Sequence, residues 1–424
     1  MSSFGDADWD AYARLSSPAP PAAPLRARAA PLPDPAAIPP REWLLGTRLV
    51  RRFVSLLVAP GGVGKSALAL ASAASLAAGR NILDEHVHHS VPAWVLSLED
   101  PADEAHRRIA ALMRLHGIAG AELSGRLFLH HGRERRVRLA EAQGFGVVAY
   151  PDRDAVAQEA RIRGIGLIVV DPFVKSHGLD ENDNKQMDAA ATAWAEVADR
   201  AGAAVLLVHH TRKSGANTAE SGAEAARGAK SLTDAARSAA ILSAMTAAEA
   251  EHLGVPAAER WRHVRLDDAK ANLAPLAAAR WFRLQTVALG NATPAYPHGD
   301  QVAAIQPWRP ASPWAAHSPS DLNRVLDRIA AGPAPGCRFA PTRRGRASSR
   351  WAGDVLMREL GKTEGQAAAM VDAWLKSGLL VAGAYHDAEQ RRVRMGVAVD
   401  DRRRPTIPST AQEHTHDASN RRGD

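Results

Sequence analysis

Between residues 53 and 210 the chain alternates short apolar runs with stretches of helical period. The runs 53–58, 93–98, 127–130, 167–170 and 204–208 are continuous in their apolar character. A strand apolar on both faces must be covered on both, which predicts a mostly parallel sheet with helices on either side. Three later runs, 261–266, 281–287 and 302–306, alternate apolar with polar residues and predict an antiparallel extension with one wetter face. Past a Pro- and Trp-containing connection at 307–319 the pattern turns to short helices at 321–330, 351–360 and 363–377. A hairpin of 379–385 with 391–397 follows around the polar turn 386–389. Helices followed by a two-stranded ribbon make the pattern of a winged helix.

The ends differ. Residues 17–40 are rich in Pro and Ala, and 402–424 combine Arg402, Arg403 and Arg404 with Pro, Ser, Thr and His; neither has enough large apolar residues to offset its ordering entropy. The expected organisation is a disordered arm (1–40), an α/β core (41–310), a linker (311–320), a small winged-helix-like domain (321–400) and a disordered basic tail (401–424). A length of 424 residues suits this division, since single cores stop growing near roughly 250–300 residues.

The net charge of +7 suits a polyanionic partner, although an Ala- and Arg-heavy composition reaches such a charge by itself. One cysteine, Cys337, leaves no intramolecular disulfide and no thiolate metal cluster within one chain. With no signal-like start and no run of about 18 apolar residues, the expectation is a soluble cytoplasmic protein with no membrane partner. The pairs around His86, His88 and His89 and at His130 and His131 lack acidic or Cys neighbours at ligand spacing and are expected in surface loops.

The chemistry begins after the first strand. Ala59 leads into Pro60, Gly61, Gly62, Val63, Gly64, Lys65 and Ser66, followed by a helix rich in Ala and Leu. Glycines let backbone N–H groups curl around a β-phosphate, and the helix N-terminus adds its positive dipole. Lys65 reaches the β- and γ-phosphates and Ser66 ligates Mg²⁺. This is a Walker A loop, binding ATP. The run 167–170 ends in Asp171, placed as a Walker B carboxylate that holds the metal. The run 93–98 ends in Glu99 and Asp100; Glu99 can activate the attacking water, whereas Asp100 suits a helix cap. His209 and His210 end a further strand at the same edge, where a γ-phosphate sensor would sit; ordinary hydrogen-bonded histidines are the alternative.

Ser97, Leu98 and Glu99, with Arg108 on the next helix, resemble a motif of replicative helicases with the RecA fold. The ordered set Glu99-Asp100-Pro101, Val170-Asp171-Pro172, His209-His210, Arg227-Gly228, Asp234 to Arg237 and Ala269 to Asn272 is similar to that of RepA-type plasmid helicases and related phage and prophage AAA-family ATPases. The resemblance covers about 41–310. It implies a RecA-like P-loop NTPase core and a homo-hexameric ring with ATP and Mg²⁺ at subunit interfaces. It further implies Glu99 as catalytic base, His210 or His209 as sensor, Arg108 beside the nucleotide, Arg237 as an arginine finger and Lys270 as a second basic group near the neighbour's phosphates. The implied work is ATP-driven DNA unwinding or translocation in plasmid, phage or mobile-element replication. Single-stranded DNA is the expected partner, with a replication initiator or primase beside it. A nucleotide-switched DNA-binding or loader protein, which hydrolyses ATP without unwinding, is the alternative. Residues 213–226, rich in Gly, Ser and Ala, suit a channel-facing loop. Arg343, Arg344, Arg346 and Arg350, with Arg391, Arg392 and Arg394, suit a DNA-facing surface on the C-terminal domain, although winged helices also dock proteins.

Overall fold

The computed structural model describes residues 27, 29–30, 32–143, 147–210, 230–310, 314, 317–343 and 350–405. The expectations for 1–26, 213–226 and 406–424, and for Arg227, Arg344 and Arg346, lie outside them. Residues 1–41 form one unit, in which Pro35–Ala37 make an exposed 3-10 turn and the Asp34 carboxylate accepts the Ala36 N–H at 3.0 Å.

In the second unit, nine strands make one sheet: β1 (Val54–Ala59), β2 (Ala93–Ser97), β3 (Leu127–His131), β4 (Leu167–Asp171), β5 (Ala204–His210), β6 (Ser238–Ala244), β7 (His263–Ala271), β8 (Arg280–Ala288) and β9 (Gln301–Pro307). Their order is β9-β8-β7-β6-β1-β5-β4-β2-β3. The six strands from β6 to β3 run parallel and the rest is antiparallel, as the two kinds of apolar pattern require.

Both faces of the parallel half are sealed. Leu57, Ala59, Val95, Leu206 and Val208 join a buried cluster with Leu68 and Leu76 of helix α1 (Lys65–Ala78). Val54, Leu56, Val58, Val205 and Leu207 point the other way, into a cluster with α3 (Arg153–Ile162) and α4 (Asn184–Ala201). The period-2 alternation thus sends successive apolar residues of β1 to opposite cores. Trp194 of α4 is fully buried, and its indole N–H finds the Ser176 hydroxyl at 3.1 Å. Helix α2 (Ala102–His116) follows β2 and packs against β8 and β9: His116 Nε2 lies 2.8 Å from the Ile305 carbonyl, and Arg107 meets Asp300 at 2.9 Å.

Several elements escaped the sequence pattern. β6, with the sequence SAAILSA, has weak β propensity, yet it sits between β1 and β7 with its first five residues buried. The strand expected from residue 261 begins at His263, because Arg260–Arg262 make a 3-10 turn that leaves Trp261 exposed. A three-stranded sheet of Ala140–Gln143, Val147–Ala149 and His177–Gly178 was not anticipated. His130 and His131 are not in a loop: they end β3, and His131 is buried.

The C-terminal region has a hydrophobic cluster of its own, built from α5 (Pro319–Ala331), α6 (Ala352–Leu360), α7 (Glu364–Lys376) and the antiparallel pair β10 (Leu380–Asp387) and β11 (Arg392–Val399). Ordered chain continues beyond residue 400, where Arg404 pairs with Asp327 at 2.8 Å. α7 touches the short helix Ala247–Leu253, with the Thr363 hydroxyl donating to the Glu251 carbonyl at 2.9 Å. The expected basic surface is thinner than the sequence suggested. Arg350 is committed to the fully buried Asp387 at 2.8 Å and to Glu389, and Arg343 to Glu364 at 2.6 Å. Arg391 and Arg392 remain exposed. Among the described residues no helix is long and apolar enough to cross a membrane.

Candidate functional site

The C-terminal edge of the parallel strands gathers the chemistry. β1 delivers the loop 60–64 to the start of α1, and two of its glycines take left-handed backbone, Gly62 at φ +80° and Gly64 at φ +97°. At Gly64 space is short as well: a Cβ would stand 2.9 Å from a methyl of Leu284, on β8. Glycine is therefore required twice over at this position, by backbone sign and by contact. Val63 packs against the α1-side core, which anchors the loop at one apolar point.

Lys65 is buried and folds back, donating from Nζ to the Pro60 carbonyl at 2.8 Å. Burial lowers its pKa, against the pull of the Asp171 and Glu99 carboxylates. Asp171, at the tip of β4, behaves as a buried acid. Desolvation raises it above the ordinary carboxylate range, although the Ser66 hydroxyl bonds to it and His210, Lys65 and Arg108 act against the rise. His210 is lowered by burial and by Lys65, with Asp171 and Glu99 opposing. The structure therefore brings Lys65, Ser66, Asp171, Glu99 and His210 within electrostatic reach of one another.

Ser66 and Asp171 fit a Mg²⁺ ion. They are hard oxygen donors close enough for the Ser66 hydroxyl to lower the Asp171 carboxyl, which lacks the strong cationic pairing that would hold it ionised. A divalent ion there, held by Ser66 and by Asp171 through its water shell, would supply charge neutralisation between β- and γ-phosphates.

Glu99 lies two residues beyond β2, half-exposed, with Lys175 Nζ at 4.0 Å. Arg108 reaches Asp100 at 2.6 Å and Glu104 at 3.4 Å, so Asp100 is an ion-pair partner and not the expected cap; Pro101 occupies the cap position. His209 is turned inward beside Phe173, with ring centroids 6.3 Å apart, and its buried Nδ1 has no hydrogen-bond partner among the described residues. Burial first, then His210 and Lys65, push its pKa down to about 4. His177, across the Phe173 ring, is likewise near 4, through burial, Arg138 and His209. Of the two strand-end histidines, His210 alone is on the open side of the edge.

Arg237 and Lys270 are elsewhere. β6 runs parallel to β1 with Ser238 opposite Ser55, and the Arg237 N–H donates to the Val54 carbonyl at 3.1 Å. Arg237 is thus level with the beginning of β1, and the P-loop follows its end. At about 3.3 Å per residue the strand separates them by roughly 16 Å. Lys270 of β7 pairs with Ala239 and donates to the carbonyls of Thr233 and Asp234, both at 2.8 Å, closing the C-terminus of the helix Lys230–Ala235.

Sequence reasoning missed Lys175 and Leu284. Lys175 stands four residues after Asp171, on the 3-10 turn Phe173–Ser176, and a cation so close to a Walker B carboxylate was a readable signal. Leu284 carried none, because only the tertiary fold brings its side chain to Gly64.

Residues 20–216 match the family model described as an AAA domain. Among solved structures, one titled "The Structure Of A DnaB-Like Replicative Helicase And Its Interactions With Primase" aligns at 13% identity and a TM-score of 0.37, covering 55% of this chain. The aligned part spans 57% of that solved chain.

Proposed function

We propose that the AAA-type, RecA-like ATPase domain within this chain drives a RepA-type DNA helicase or translocase, hydrolysing ATP at the interfaces of a homo-hexameric ring. The observation that carries this reading is the division of basic groups between two edges of one sheet. Lys65, Ser66, Asp171, Glu99 and His210 converge at one edge, whereas Arg237 and Lys270 stand at the other, beyond the reach of any side chain to their own P-loop. In this reading a phosphate met by Arg237 belongs to another copy of the chain, since its own P-loop is out of reach.

In this reading the backbone of 60–64 and Lys65 cradle the phosphates of ATP, and Ser66 and Asp171 hold Mg²⁺ against them. Glu99 orients and deprotonates the attacking water. His210 senses the γ-phosphate, and Arg108, next to Asp100, borders the nucleotide. Arg237 of the next subunit, with Lys270 behind it, stabilises charge developing on the transferred phosphoryl, so hydrolysis completes only when neighbours close. Ring closure then moves single-stranded DNA. Replication of a plasmid, phage or mobile element is the setting the motif order suggests, with an initiator or primase as the handing-on partner.

The test is ATP turnover and strand displacement from a forked duplex. Turnover stimulated by single-stranded DNA is expected, with displacement lost in Lys65→Ala and strongly reduced in Arg237→Ala. Mixtures of these two variants should regain activity, because a mixed interface can pair an intact P-loop with an intact finger. Turnover without displacement under ring-forming conditions would instead support a nucleotide-switched loader, and mixtures inactive at every ratio would remove the shared site.

A further inference from the structure

A wide cleft adjoins Glu99 without being part of the P-loop. It measures about 800 Å³ and is lined by Leu98, Glu99, Gly132, Glu134 and Val137, with Arg133, Arg136, Arg138 and Lys175 supplying positive charge. Its cations outnumber its carboxylates, Glu99 and Glu134, by two to one.

The segment that carries the arginines is pinned. Gly132 donates to the Ser97 carbonyl at 2.9 Å, and a Cβ on Gly132 would come within 2.5 Å of the Leu98 oxygen, so loop and β2 touch backbone to backbone. Asp152, buried, accepts the Arg138 N–H at 2.6 Å and pairs with Arg135. The same segment is tied to the turn that bears Lys175: Leu139 donates to the Ser176 carbonyl at 2.7 Å and the Arg138 guanidinium to the His177 carbonyl at 2.5 Å. Arg133 and Arg136, by contrast, are exposed and make no ion pair with any described residue. A rigid frame thus presents two uncommitted guanidinium groups beside a lysine that faces Glu99.

That lysine is weakly held. Lys175 and Glu99 are 4.0 Å apart with side chains 55% and 51% exposed, a pair that a stronger anion displaces readily. Guanidinium groups on a fixed backbone suit the phosphodiester spacing of an extended strand, and this groove lacks aromatic rings that would read bases. We propose that this cleft binds the backbone phosphates of a single nucleic-acid strand through Arg133, Arg136 and Lys175, and that Lys175 leaves Glu99 for a phosphate when the strand arrives. Glu99 is then released to act on water at the P-loop. Lys175 is a positioning residue in this scheme, acting through Glu99, and Arg138 holds the frame. The inference rests on the DNA-engaged reading above and deepens it, by giving the strand a place and a route to the ATP site.

Two measurements on the full chain test it: anisotropy of a labelled dT oligonucleotide across a KCl series, and ATP turnover with and without that oligonucleotide. Arg133→Ser with Arg136→Ser should weaken dT binding at least about tenfold and flatten the log Kd against log salt line by about 1.4, since each lost phosphate contact on a single strand removes about 0.7. Arg133→Lys with Arg136→Lys should restore most of the slope. Lys175→Gln should raise DNA-free turnover while the stimulation ratio falls towards one, a pairing that simple loss of structure does not produce.

Unchanged affinity and slope in the double Ser variant would overturn the cleft as the strand site. Unchanged DNA-free turnover with full stimulation in Lys175→Gln would overturn the exchange. Pyrophosphate binding that is lost in the double Ser variant while dT binding persists would assign the cleft to free phosphates and also overturn the proposal. A wild-type protein that binds no dT and shows no stimulation would instead fail the underlying DNA reading, and the inference with it.

Discussion

Glu85 is sealed within the α/β core and Asp171 is largely desolvated at the tip of β4, and their acidities move in opposite directions. Burial alone would raise Glu85, but Arg48 and Arg280 outweigh it, at 2.9 and 2.7 Å, and hold its carboxyl below the ordinary range. Asp171 is raised by burial, and its neighbours Ser66, His210, Lys65 and Arg108 do not make up the difference. The first site is complete within the chain and joins the hairpin Trp43–Leu45 and Leu49–Val50 to α1 and β8 through Arg48, Ser72 and Arg280. The second is incomplete, which is the expected condition of a carboxylate that works with a cation the chain does not itself supply. Desolvated carboxylates are therefore not one thing here: Glu85 is neutralised by two arginines of its own chain, and Asp171 has no cation pairing of that strength among the described residues.

The largest expected effect breaks the complete site. Glu85→Ala leaves Arg48 and Arg280 without their shared anion and should destabilise the folded protein by about 3–5 kcal/mol, read as a fall in Tm and in the denaturation midpoint. A melt within a degree of wild type would show that the network contributes nothing. Glu85 also has a pH signature. Its folded pKa lies below the unfolded value, so its stabilisation is present above the ordinary range near 4.5 and is lost as pH falls through the depressed value.

At the incomplete site the loss should appear in rate and not in stability. Lys65→Ala and Asp171→Asn should each lower kcat for ATP by at least about 10²-fold, the scale for removing one charge-stabilising group from a phosphoryl-transfer site. Their melting temperatures without nucleotide should stay at or above that of wild type, because each removes a buried ionisable group that burial already disfavours. A rate within a factor of a few would move the ATP site elsewhere.

The contrast also explains what the sequence could tell. The P-loop, Asp171 and Glu99 were legible because each is a polar group directly after an apolar run, and a parallel sheet brings all such ends to one edge. The position of Arg237 was not legible, because β6 has small side chains and no strand-like pattern; only its register with β1 puts Arg237 level with the start of that strand. The Glu85 network was not legible at all. Arg48, Ser72, Glu85 and Arg280 are spread over more than half the chain, and nothing local distinguishes a buried arginine from a solvated one. The same holds for Arg350, which looked like a DNA contact in a basic run and is held by Asp387.

A smaller effect concerns the two histidines that flank Phe173. His177 and His209, both near 4, should remain neutral in NMR titrations to below pH 5, whereas an imidazole in the unfolded chain titrates near 6.5. Because their folded pKa values are depressed, the stability they contribute is present above about 6.5 and is lost as pH falls towards 4. A His209 resonance that titrates near 6.5 would mean that its ring faces solvent and that the inward placement beside Phe173 is wrong.

The smallest effect sharpens the meaning of incompleteness. If Asp171 holds a place for Mg²⁺, ATP should raise the Tm of the wild-type protein more with Mg²⁺ than with EDTA, since a ligand at about 100 times its Kd stabilises by about 2.7 kcal/mol and a weaker one by correspondingly less. In Asp171→Asn the two curves should draw together, because the amide is a poorer donor for a divalent ion and carries no charge to neutralise it. Glu85→Gln should keep the full wild-type difference between Mg²⁺ and EDTA, at whatever lower Tm it melts, because its carboxylate already has its two cations. If instead Asp171→Asn kept the Mg²⁺ difference and Glu85→Gln lost it, the opposite shifts of the two carboxyls would have to be explained by burial geometry alone.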